Sequence, residues 1–153
     1  MLEVRPFQTA DEARVTALWR SCGLTRPWND PARDIARKLR VQPDMFLVAV
    51  ADGEIAGSVM AGYDGHRGWL YYLGVDPALQ GRGIGKMLVA EAESRLRALG
   101  CPKVNLQMRR GNAEAEQFYA RLGYAEDQVV SYGKRLDHDP PVADPLASAE
   151  HSA

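Results

Sequence analysis

The chain is poor in cysteine, in histidine and in long apolar runs. Of its 153 residues only 2 are cysteines, Cys22 and Cys101, and only 3 are histidines. This cysteine pair makes neither a disulfide framework nor a zinc spacing, so reduced thiols and no metal are expected. No apolar stretch approaches the roughly 20 residues that a bilayer requires. The N-terminal MLEVRPFQTADEAR lacks the apolar core of a secretion signal. Membrane partners are therefore not expected, and the cytoplasm is the expected compartment. A formal net charge of −1 supplies no general attraction to nucleic acid or anionic lipid, so any recognition of charge must be local. What remains is the ordinary balance of a globular domain with a real core, 46% apolar and 25% charged residues.

Hydrophobic periodicity predicts a mixed α/β (α+β) fold. LEVRP (2–6) alternates as a strand closed by Pro6. Thr9 and Glu12 form an expected capping box before a helix whose inward face is Val15, Leu18, Trp19 and Cys22. Asp30-Pro31 is a cap followed by a first-turn proline, and Ile35 and Leu39 continue that second helix inward. FLVAVA and IAGSVMAGY flank Asp52-Gly53, a strong hairpin turn, and WLYYLGV (69–75) follows the polar loop DGHRG. A long amphipathic helix runs from Ile84 to Leu99. The strand of Val104, Leu106 and Met108 follows, then a helix over 113–122 and a last strand within 124–136. A single domain over 1–136 is expected, and the proline-rich 137–153, without an aromatic residue, is expected to be a disordered tail.

The informative segment is Val75-Asp-Pro-Ala-Leu-Gln-Gly-Arg-Gly-Ile-Gly85, where a strand passes through glycines directly into the long helix. Glycines let consecutive backbone N–H groups approach an anion, and the helix N-terminus adds unpaired donors. This is the physical description of a phosphate site. It is neither a dinucleotide fingerprint nor a P-loop, because Lys86 stands where the third glycine of the former belongs and the Gly-Lys-Ser/Thr of the latter is absent.

Gln80-x-x-Gly83-x-Gly85 after Leu73-Gly74-Val75, with Pro77 between, resembles motif A of the GNAT acetyltransferases. Asn112 with Phe118-Tyr-Ala-Arg-Leu-Gly-Tyr124 is similar to that family's second signature. The resemblance spans about residues 2–136. A narrower likeness, to the bacterial YpeA-type members, rests on RPWNDP (26–31), GYDGHRG (62–68), YYLGV and GKRL.

The resemblance implies a mostly antiparallel sheet with splayed middle strands, flanked by about four helices. It implies acetyl-CoA as co-substrate, held by Leu73, Gly74 and Val75, by Gln80, Gly81, Arg82, Gly83, Ile84, Gly85 and Lys86, and by Asn112 and Tyr119. It further implies transfer of the acetyl group to a primary amine of a small molecule or protein, in a ternary complex, with Tyr119 as general acid to the leaving thiolate. The positions where many members carry a glutamate base hold Tyr71 and Gln107. Candidates for that role are His66, of suitable intrinsic pKa, Asp64 beside it, and water ordered by Tyr71 or Tyr72; the loop holding His66 also reads as a solvated turn. On the acceptor side the candidates are Arg26, Trp28, Asn29, Tyr63, Asp64 and Tyr72. Trp28 also reads as a residue packed over the sheet, and Asp30 as a cap. The alternative function is a non-catalytic acyl-CoA-binding module on the same fold. A monomer or a homodimer is expected.

Overall fold

In the computed structural model, which describes residues 1–139, the N-terminal alternation becomes strand β1 (Leu2–Pro6). Helices α1 (Glu12–Ser21) and α2 (Pro31–Lys38) follow. Strands β2 (Phe46–Ala51), β3 (Glu54–Tyr63) and β4 (Gly68–Val75) form an antiparallel meander. Its first turn is built as the sequence predicts: Asp52 and Gly53 both take left-handed φ, 51° and 81°, the pair that a two-residue hairpin needs. Helix α3 (Ile84–Ala98) then crosses over, strand β5 (Val104–Leu106) returns parallel to β4, and helix α4 (Ala113–Arg121) ends the regular structure.

The strands lie in the order β1-β2-β3-β4-β5. Alternation along β2 feeds two cores. Leu47 and Ala49 face Leu88, Val89 and Leu96 of α3, whereas Phe46 and Val48 face Val15 and Trp19 of α1 and Ile35 of α2. The sheet is therefore covered on both faces, with α3 and α4 on one and α1 and α2 on the other.

Two local expectations are corrected. The capping box sits one residue earlier than Thr9 and Glu12. Asp11 accepts from the Gln8 amide at 2.8 Å and pairs with Arg5 at 2.8 Å, so a short 3-10 turn at Thr9–Asp11 precedes α1. An aspartate that can also reach a strand arginine satisfies two partners where Glu12 would satisfy one. The last strand expected within 124–136 does not form among the described residues. Side chains hold that segment instead: Lys103 and Asn105 bond Asp127, and Gln107 bonds Ser131. Val129, Val130 and Tyr132 stay exposed. Of the tail expected over 137–153, Asp139 pairs with Arg37 and accepts from the Asp30 amide; residues 140–153 lie outside the described residues.

Candidate active site

The β4–β5 ladder stops at Leu70 opposite Leu106, while β4 continues to Val75, paired with β3 on one edge and with no described strand on the other. That divergence is the splay. On the β3 side the register shifts, Ser58 pairing with Gly74 but Met60 with Tyr71, so β4 bulges by one residue there, and Tyr72 takes a φ of 53°. A left-handed aromatic residue costs about 1–2 kcal/mol, so surrounding contacts must hold it. Ser58 Oγ donates to the Tyr72 carbonyl at 3.0 Å and accepts from Trp19 Nε1 at 2.8 Å. The Tyr72 ring stacks on Trp19 with centroids 3.9 Å apart, and its hydroxyl donates to Asp34 at 2.6 Å. Burial and this carboxylate push the Tyr72 phenol far up.

At the end of β4 the glycine loop opens into helix α3. Gly81 and Gly83 both have φ of 81°, and a Cβ at either would meet open space. Gly83 is the N-cap of α3 and supplies no side-chain cap, and the first turn of α3 holds no acidic residue. Helix α4 is the opposite case, capped by Asn112 on the Ala115 amide at 3.1 Å and carrying Glu114 and Glu116. The α3 N-terminus thus keeps its positive end unanswered. Arg82 and Lys86 stand exposed beside it with no ion pair to any described residue. Gln80 closes the loop by donating to the Val75 carbonyl at 3.4 Å. Ile84 anchors α3 in the core, and Gly85 lies against Phe118, where a Cβ would come within 3.1 Å of the ring.

Gly74 has a packing duty. A Cβ there would come within 3.0 Å of Leu24 and 3.1 Å of Cys22. The Cys22 thiol also donates to the Val75 carbonyl at 3.2 Å, and burial raises its pKa. Both cysteines are free. Tyr119 is 8% exposed, edge-on to Phe118 and Tyr124. Burial pushes its phenol up to about 12, and its hydroxyl has no hydrogen-bond partner among the described residues. It is a neutral donor throughout the physiological range.

A cavity of about 940 Å³ opens at the splay, lined by Arg26, Asn29, Asp34, Tyr71, Tyr72, Gln107, Arg109, Arg110 and Ser131, with Leu24, Met60 and Met108 as apolar wall. It gathers four of the expected residues: Arg26, Asn29, Tyr71 and Tyr72. Tyr71 is 51% exposed, with its pKa raised by burial and by Asp64. Trp28 stands one contact away, its ring under the Arg109 guanidinium at 5.6 Å. Tyr63, Asp64 and His66 do not line the cavity. Tyr63 donates to the Gly65 carbonyl, and Asp64 accepts from the His66 and Arg67 amides, which makes 64–67 a self-bonded turn. Sequence reasoning did not single out Asp34, Ser58 or Met60 for the site, nor Arg109-Arg110. The last pair left a signal, adjacent arginines just beyond a strand; the buried serine left none.

The model of the acetyltransferase (GNAT) family matches residues 13–124. An acetyltransferase from Pectobacterium atrosepticum is 50% identical over 138 residues, 90% of this chain and 98% of that protein. Among solved structures, Ard1 from Thermoplasma volcanium aligns with a TM-score of 0.74 at 25% identity, over 81% of this chain and 82% of that one. AAC(6')-Iy in complex with the bisubstrate analogue CoA-S-monomethyl-acetylneamine aligns with a TM-score of 0.73 over 88% of this chain and 99% of that one. At 21% identity the latter shows the fold alone.

Proposed function

The chain belongs to the GNAT acetyltransferase family, and from that premise we propose that it moves an acetyl group from acetyl-CoA to a primary amine by direct attack in a ternary complex. The observation that carries the reading is the splay ending at an uncapped, acid-free helix N-terminus behind two left-handed glycines. The amides of 81–85, with Arg82 and Lys86, hold the pyrophosphate. The free edge of β4 at Leu73 and Val75 lies along the pantetheine arm, and Asn112 flanks it with the amide nitrogen that its capping role leaves available.

The acceptor amine attacks the thioester carbon from the cavity side. As the C–N bond forms, the C–S bond breaks, and the thiolate takes its proton from the Tyr119 hydroxyl, which solvent later restores. The amine must arrive neutral, since a lysine-like amine is mostly protonated at pH 7. Tyr71 is a neutral phenol there and cannot serve as a carboxylate-like base. With Gln107 it orders a water that carries the amine proton away, and positioning supplies much of the remainder.

Thermal denaturation with acetyl-CoA tests the cradle. Saturation at about 100-fold over Kd adds roughly 2.7 kcal/mol, about 5–10 °C for a domain of this size. Gly83→Glu places a carboxylate in the cradle and removes the shift. A folded protein with no shift at millimolar acetyl-CoA would refute the reading.

A further inference from the structure

We infer that the acceptor carries an anionic group, a carboxylate or a phosphate, close to the amine it presents, and that Arg109 and Arg110 engage it. This rests on the acetyltransferase reading and specifies its unknown half. The cavity has four charged side chains in its lining, three of them arginines, against the single carboxylate of Asp34. That carboxylate is already answered: it accepts from the Tyr72 hydroxyl at 2.6 Å and from Arg37 at 3.2 Å. The Arg109 carbonyl accepts from the Asn112 amide at 3.2 Å, but the guanidinium groups of Arg109 and Arg110 form no hydrogen bond or ion pair with any described residue. Arg109 is held by its face over Trp28, an arrangement that fixes the guanidinium while leaving its edge donors free. Arg26 uses one nitrogen on the Gly23 and Thr25 carbonyls, both at 2.8 Å, which fixes the loop and leaves its charge unneutralised. Arg135, outside the lining, donates to the lining residue Asn29 at 2.7 Å.

In a chain of net charge −1, this is a local concentration of positive charge. Planar guanidinium forks suit carboxylate and phosphate oxygens. Free cations also disfavour protonation of a nearby amine. The same lining therefore selects the anion and favours the neutral amine in a site without a carboxylate base. A polycationic acceptor would meet repulsion instead.

The test compares matched acceptors with the full-length protein and acetyl-CoA: alanyl-glutamate against alanyl-glutaminamide, and O-phosphoethanolamine against ethanolamine. Thiol release gives kcat/KM, and melting of the CoA-saturated protein with each probe reads acceptor binding without turnover. The anionic member of at least one pair is expected to exceed its neutral partner by about tenfold or more in kcat/KM; the pair that responds identifies carboxylate or phosphate. In Arg109→Gln/Arg110→Gln that ratio falls toward one through a higher acceptor KM, with the acetyl-CoA melting shift unchanged. Arg109→Lys keeps part of it.

Equal or better use of the neutral members overturns the inference, as does absence of both turnover and melting response for every probe while acetyl-CoA still shifts the melt. A double variant that weakens acetyl-CoA binding and leaves the acceptor ratio intact also overturns it, since the arginines would then serve the coenzyme phosphates. Absence of any acetyl-CoA shift sinks the acetyltransferase reading itself and is a separate result.

Discussion

Ser58→Ala removes a single oxygen from the side of the sheet opposite α3, and its effect should reach the acetyl-CoA site. Ser58 and Trp19 are both 0% exposed. Without the hydroxyl, the indole N–H has no partner and no water, a loss of about 1–3 kcal/mol. The Tyr72 carbonyl loses its donor as well, about 1 kcal/mol net, and shedding the hydroxyl's own desolvation offsets part of this. The sum is about 2 kcal/mol, read as a fall in melting temperature of about 4–8 °C.

The consequence for function follows from Tyr72. Its left-handed backbone is held against a cost of about 1–2 kcal/mol by the bond from Ser58 and the stack on Trp19. With the bond gone, the bulge relaxes, the end of β4 shifts toward β5, and the KM for acetyl-CoA rises. A double-mutant cycle with Trp19→Phe isolates the indole: in that background Ser58→Ala should cost under about 1 kcal/mol, a coupling of at least about 1 kcal/mol. Urea melts at constant m supply the energies. Additive energies, or a neutral Ser58→Ala, would refute the account of how the bulge is held.

Tyr119→Phe should lower kcat by about 10²–10³-fold while leaving the acetyl-CoA melting shift in place; unchanged turnover removes Tyr119 from the mechanism. Because burial raises the Tyr119 pKa to about 12, its stabilising contribution is whole below pH about 10 and is lost as pH rises through about 12. Asp11→Asn should cost about 1–2 kcal/mol. The Arg5 guanidinium and the Gln8 amide hold the Asp11 carboxyl below its ordinary pKa, so this contribution is present above pH about 4 and lost as pH falls through the lower folded value; acid melts of the two proteins should converge. Gly57→Ala would bring a Cβ within 2.9 Å of the Gly74 carbonyl and of Leu88, a strain of about 1–3 kcal/mol visible as a lower urea midpoint.

The elements that the sequence made legible are those decided by local chemistry. Alternation and the left-handed Asp52-Gly53 turn specify the β2–β3 hairpin, and Asp30-Pro31 specifies the start of α2, whose cap forms on Ala32 at 3.0 Å. The conformation of the glycine loop was legible for the same reason, since Gly81 and Gly83 are the residues that take its left-handed φ. The last strand was misread because Val129, Val130 and Tyr132 are residue types that favour strands, whereas pairing depends on the neighbour, and here Asp127 and Ser131 are engaged by side chains of the β5 region. The bulge was hidden more deeply: nothing in Tyr71-Tyr72 announces that one ring faces the cavity while the next stacks on Trp19 at a positive φ. The acceptor side was hidden most of all. Trp28 stood out in its loop as a wall for a ligand, but its ring is covered by Arg109, from the segment that follows β5. Read along the chain, Arg109 merely follows a strand; in the fold it lines the same cavity as Arg26 and Arg110, which gives that lining three arginines against the one carboxylate of Asp34.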